Sequence, residues 1–172
     1  DSLCKNIPRV TSGISSSLKD SECDGIAIIE KDNRSLMIFC DLKPTFDTKK
    51  IRKGFSQDLF SFIKLHMLLS ICNNYELDDF DIDFIVACKC FENIAKRADI
   101  LSRVQNNQIV DKDYFINSLL YPLIKNGEKC VRLGDFPQIA GLDINPGIKN
   151  KKVKLRLLTS RNYTDDFVKY SI

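Results

Sequence analysis

The chain has a single histidine, and no two of its seven cysteines form a C-x-x-C pair. This argues against a structural zinc framework, which needs several soft ligands at short spacings. No apolar run approaches the length of a membrane span, and no secretory signal pattern is visible. There is no internal repeat and no low-complexity tract. A large excess of charge is missing too. A net charge of +3 permits a nucleic-acid partner without requiring one, so the placement of basic residues matters more than their total. The cysteine count is odd, and several cysteines sit inside apolar runs such as Ile85 to Cys90. This argues for free thiols in a reducing, cytoplasmic compartment and against a disulfide framework.

What is present suits one globular domain over residues 1–172. The chain is 44% hydrophobic and 28% charged, with enough length to bury a core. The richest stretch is a pair of apolar runs. Asp24 to Glu30 and Leu36 to Leu42 read as strands, joined by the turn chemistry of Lys31-Asp32-Asn33-Arg34. An acid opens the first run, and Asp41-x-Lys43 closes the second. Strand side chains alternate, so Asp41 and Lys43 share a face. Pro44 ends the ladder.

Asp47-Thr48 can cap a long helix over Lys49 to Cys72, with Ile51, Phe55, Leu59, Phe62 and Ile63 forming an apolar stripe. Its second half, Leu65 to Cys72, is apolar nearly all round and predicts deep burial. A third strand follows over Asp83 to Cys90, then helices over Phe91 to Gln105 and Asp111 to Leu120. Lys129 to Leu133 suggests a short strand. Lys151 to Leu157 alternates cleanly: Lys152, Lys154 and Arg156 lie on one face, Val153, Leu155 and Leu157 on the other. The strand-helix-strand order requires a crossover and so a parallel pair. The fold class is α/β, with a mixed central sheet flanked by helices.

Asp24 and Asp41 on neighbouring strands could supply two carboxylates to a hard divalent cation, with the Leu42 main-chain carbonyl as a third oxygen. Lys43 would face the same pocket, where an ammonium can hold an attacking water or stabilise a developing anion. On these residues the sequence resembles the PD-(D/E)xK nuclease superfamily. Asp24 resembles the acid of its second core strand, and Asp41-Leu42-Lys43 its (D/E)xK. Gln57 resembles a glutamine found on the following helix in some members. The resemblance covers about residues 20–105 and leaves 106–172 as a C-terminal extension.

It implies a restriction-endonuclease-like core, catalytic Asp24, Asp41 and Lys43, Mg²⁺ or Mn²⁺ as cofactor, and hydrolysis of DNA phosphodiester bonds in defence, restriction or repair. A homodimer or larger complex is a compatible partner, and a membrane is not. Two departures stand out. Cys23 replaces the namesake proline, and the upstream acids Asp1, Asp20 and Glu22 lie on no clear helix.

Basic residues fall in two groups that suit phosphate contacts: Lys49, Lys50, Arg52 and Lys53 at the helix start, and Lys149, Lys151, Lys152, Lys154 and Arg156 near the end. Blander accounts stay open. Asp24 can cap a turn, Lys43 can snorkel at a strand end, and the basic groups can be a solvated helix face and a protected edge strand. Asp47-Thr48-Lys49 is a second acid-x-Lys match. His66 is expected to pack in the helix, Gln57 to bond across the helix–sheet interface, and Cys88 and Cys90 to fill core or edge. The alternative function is an inactive nucleic-acid-binding or protein-interaction module on the same fold.

Overall fold

The computed structural model describes residues 22–31, 34–89, 98, 102, 119–140 and 143–159. Five strands form one sheet in the order β1-β2-β3-β5-β4. Strands β1 (Gly25–Lys31) and β2 (Arg34–Lys43) make an antiparallel hairpin whose register runs from Gly25↔Cys40 to Lys31↔Arg34. Helix α1 (Thr48–Leu69) crosses over to β3 (Phe80–Cys88), which pairs parallel to β2. Later elements are α2 (Tyr121–Asn126), β4 (Glu128–Arg132), α3 (Pro137–Ala140), α4 (Pro146–Asn150) and β5 (Lys152–Thr159). Strand β5 is parallel to β3 and antiparallel to β4. The α/β class and the mixed sheet with flanking helices are as the sequence predicts.

Helix α1 begins where its cap predicts. The Asp47 side chain accepts from the backbone N–H of Lys49 (2.9 Å) and Lys50 (3.0 Å), satisfying donors that a helix start leaves open. Of its predicted stripe, Ile51, Phe55, Leu59 and Phe62 are buried on the sheet, Ile63 is only partly buried, and Leu65 joins the buried set. Phe62 meets Phe39 of β2 edge-on at 5.9 Å, and Phe39 meets Phe84 of β3 at 5.7 Å. Full burial of each ring contributes roughly 1.5–3 kcal/mol.

The helix stops sooner than its apolar pattern suggests. Ile71 and Cys72 donate three residues back, to Leu68 and Leu69 carbonyls, and the Ser70 hydroxyl donates to the Met67 carbonyl. The chain therefore turns away from the core. Of the expected deeply buried Leu65 to Cys72, only Leu65 is buried, and Ile71 is 77% exposed.

The two sheet faces differ. Met37, Phe39, Asp41 and Lys43 of β2, Phe84 and Val86 of β3, and Val153, Leu155 and Leu157 of β5 share the face under α1. Asp83 and Ile85 of β3 alternate onto the opposite face, together with Lys152, Lys154 and Arg156 of β5. Strand β5 is an inner strand, not an edge, so the C-terminal part supplies β4 and β5 to the one sheet. Leu120, Leu123, Leu133, Phe136 and Ile139 join its core. Gly127 ends α2 at φ 77°, a left-handed conformation that glycine adopts without a Cβ penalty.

The predicted helices over Phe91–Gln105 and Asp111–Leu120 lie largely outside the described residues, as does Cys90. Ala98 and Ser102 are helical, and both are exposed. Among the described residues no helix is long and apolar enough to cross a membrane.

Candidate active site

The site forms where β2 ends and α1 begins. Asp24 lies one residue before the first ladder pair of the hairpin, Gly25↔Cys40. Its Oδ2 accepts from the Leu42 N–H at 2.7 Å, which fixes the acid beside the end of β2. Asp41 and Lys43 point to the α1 face and pair with each other. Lys43 Nζ also donates to Gln57 Oε1 at 2.9 Å. Gln57 Nε2 donates in turn to the Glu22 carbonyl at 2.8 Å, so one amide spans the helix–sheet interface as expected. Asp24, Asp41, Lys43 and Gln57 are thus brought together. Leu42 meets the site through its N–H, while its side chain faces out at 61% exposure.

Burial governs the electrostatics. Asp41 is 1% exposed, and desolvation raises its carboxyl above the usual range. The Lys43 ammonium opposes that rise, and the Asp24 carboxylate, within hydrogen-bonding reach, adds to it. Apart from the Lys43 pair, Asp41 Oδ2 has no hydrogen-bond partner. Gly54 of α1 makes this packing feasible. A Cβ there would stand 2.7 Å from Asp41 Oδ2 and 2.8 Å from Val86 Cγ2.

Several participants were not singled out from the sequence. Asp58 is fully buried, and neither carboxylate oxygen has a hydrogen-bond partner. Desolvation raises its carboxyl well above the usual range, and the charge of Asp41 raises it further. Ser61 Oγ accepts from the Cys23 N–H at 2.9 Å, and buried Lys64 lies 3.7 Å from Glu22 Oε1. A signal for Asp58 exists. It falls three residues after Phe55 and seven after Ile51, on the apolar side of α1, where an acid is out of place.

The two basic groups part company. Lys49, Lys50, Arg52 and Lys53 are exposed on the first turns of α1, at the site's end of the sheet. Lys50 Nζ donates to Thr45 Oγ1 at 3.1 Å. Lys152, Lys154 and Arg156 lie on the face away from α1. Lys154 stands in backbone register with Asp83, three residues before the Val86 that neighbours Asp41, hence roughly 10 Å down the strands. Arg156 is engaged by Asp83 and Glu128, each at 2.9 Å. Lys151 Nζ donates to the Leu77 carbonyl at 2.8 Å.

His66 packs as expected. It stacks on Phe62, shares a hydrogen bond with the Tyr75 hydroxyl at 2.9 Å, and has its pKa lowered by burial. The described cysteines are all free thiols, and Cys88 is buried in the core. Burial pushes the Cys23 thiol up to about 12 and the Cys40 thiol to about 11.

Among the described residues, no group of three or more His, Cys, Asp or Glu side chains is arranged to hold a metal ion. Two carboxylates are nonetheless a sufficient protein contribution for magnesium, which keeps several of its waters. The mutual repulsion of Asp24 and Asp41 fits a cation there, beside the Lys43 ammonium already paired with Asp41 Oδ2. No family model, no curated protein and no solved structure matches the chain.

Proposed function

We propose that the chain is a metal-dependent nuclease-like domain of PD-(D/E)xK type that hydrolyses DNA phosphodiester bonds. The observation that carries this reading is the convergence of Asp24, Asp41 and Lys43 beneath the start of α1. The hairpin followed by a helical crossover to a parallel strand suits a restriction-endonuclease-like core.

Asp24, Asp41 and the Leu42 carbonyl would hold Mg²⁺ or Mn²⁺. Such an ion polarises a phosphoryl oxygen and acidifies a water. The Lys43 ammonium, oriented by Gln57, offers positive charge to the pentavalent phosphorane. Lys49, Lys50, Arg52 and Lys53 supply cations on the same rim for backbone phosphates. Defence, restriction or repair in a reducing cytoplasm is the setting such a domain would serve, alone, as a homodimer or in a larger complex.

The test is cleavage of plasmid and of single-stranded DNA, with and without Mg²⁺ or Mn²⁺, beside Lys43→Ala. Metal-dependent cleavage that the substitution abolishes is the expected result. Cleavage indifferent to metal or to Lys43 removes the reading.

One feature favours a second reading. Asp41 is already paired with Lys43, and no third acid completes a ligand group among the described residues. That arrangement suits an inactive nucleic-acid-binding or protein-interaction module. Salt-sensitive DNA binding without cleavage is its signature.

A further inference from the structure

Gln57, Ser61 and Lys64 recur at helical spacing and project from one side of α1. Gln57 and Ser61 hydrogen-bond the adjoining residues Glu22 and Cys23, and Lys64 makes a longer ion pair with Glu22. Gln57 Nε2 donates to the Glu22 carbonyl at 2.8 Å, Ser61 Oγ accepts from the Cys23 N–H at 2.9 Å, and Lys64 Nζ lies 3.7 Å from Glu22 Oε1. Ser61 is 4% exposed and Lys64 only 1%. A lysine buried that deeply is uncommon, and it is stable only where other groups compensate its charge.

The gripped residues immediately precede Asp24, and the hairpin ladder starts only at Gly25↔Cys40. Residues 22–24 therefore lie beyond the ladder, where a strand end ordinarily frays. What holds Asp24 is its bond to the Leu42 N–H on one side and the α1 grip on the other. Gln57 closes the ring, because its Oε1 takes the Lys43 ammonium while its Nε2 takes the Glu22 carbonyl.

We infer that Ser61 and Lys64 are positioning residues: acting through the Cys23 N–H and the Glu22 carboxylate, they fix the Asp24 carboxylate against Leu42 and so set its place relative to Asp41 and Lys43. Neither residue touches the substrate. Their role in catalysis rests on the nuclease reading, whereas their hold on Asp24 does not.

The Leu42 amide reports that hold directly, because its hydrogen goes to Asp24. In the full chain, Lys64→Met and Ser61→Ala are compared with wild type by amide hydrogen exchange and by ¹H–¹⁵N spectra. Exchange at Leu42 is expected to rise about tenfold, while Phe39 and Phe84 amides keep their rates. Lys64→Arg is expected to restore most of the protection. Ser61→Ala removes one hydroxyl only and carries the test if Lys64→Met does not fold. In the plasmid assay, both variants are expected to lower kcat about tenfold with KM for DNA unchanged.

An unchanged Leu42 amide overturns the inference. So does a rise at Leu42 matched by an equal rise at Phe39 and Phe84, because that is a loss of global stability. If wild type cleaves nothing, the nuclease reading falls while the Leu42 amide still decides the positioning.

Discussion

Two buried aspartates sit beside cations on opposite faces of one sheet, and they are treated differently. Asp83 of β3, 4% exposed, meets Arg156 at 2.9 Å, and the same guanidinium reaches Glu128 at 2.9 Å. The donors of one side chain are shared between two acceptors, which is how a structural ion network is satisfied. Asp41 of β2 is just as buried, yet its carboxyl is raised by burial although Lys43 pairs with it, and a second buried acid, Asp58, lies close enough for the two charges to repel. Unsatisfied, like-charged burial gives up stability, and folds tolerate it mainly where chemistry or ligand binding uses it. On this contrast the Asp41 side is the candidate site and the Asp83 side is scaffold.

Exchanging the cations tests the contrast most sharply. Lys43→Ala should lower metal-dependent cleavage by at least about a hundredfold, as read by steady-state rates, in a protein that circular dichroism shows still folded, with some stability lost because buried Asp41 is left without its partner. Arg156→Ala should spare the chemistry. Rates should stay within a few-fold, while urea unfolding shows a loss of about 2 kcal/mol. That is below the cost of breaking a fully buried pair, because Glu128 and Arg156 keep solvent contact. If Arg156→Ala abolishes cleavage in a folded protein, the division between site and scaffold is wrong.

Gly54→Ala should come next. Alanine normally favours a helix over glycine by about 1 kcal/mol. Here the added methyl meets Asp41 Oδ2 and Val86, so a net loss of about 1–2 kcal/mol by urea unfolding is expected.

Asp58→Asn should gain stability, and the pH dependence fixes the sign. The carboxyl of Asp58 is raised in the folded state, so between the ordinary aspartate pKa and the folded value the native state holds more protons than the unfolded state. Wild-type stability therefore falls as pH rises through that window. Asparagine does not ionise. Its advantage should be near zero around pH 4, grow with pH and then level off, reaching about 1 kcal/mol in chelator-treated samples. An advantage that shrinks with rising pH would contradict an unpaired Asp58.

The smallest effect concerns thiols. A maleimide at pH 8 should label exposed Cys72 and Cys130 well before Cys23 and Cys40, whose thiols burial keeps protonated. Mass spectrometry of a time course would show the order.

Local patterns were readable from the sequence, and long-range pairings were not. The alternation in β2 put Asp41 and Lys43 on one face, Asp47 announced the start of α1, and its apolar stripe included Phe62, which packs on Phe39. Each of these depends on neighbours within a few residues. The pairing of β5 with β3 depends on residues far apart in the chain, so nothing local told an inner strand from an edge. Nor could alternation in β5 say which sheet face its lysines would occupy relative to Asp41. The apolar run Leu65 to Cys72 misled for a related reason, because hydrophobicity all round a segment does not reveal that Ser70 will turn the chain outward.

That same β3–β5 ladder has a consequence for the order of assembly. Asp83 and Lys154 face each other although on the order of seventy residues separate them, so this closure carries the largest loop entropy of the sheet. The hairpin, α1 and β3 are contiguous and can collapse before β5 arrives. Until then β3 presents an open apolar edge beside a nearly formed site, and a nascent chain halted there would be prone to pairing with foreign strands.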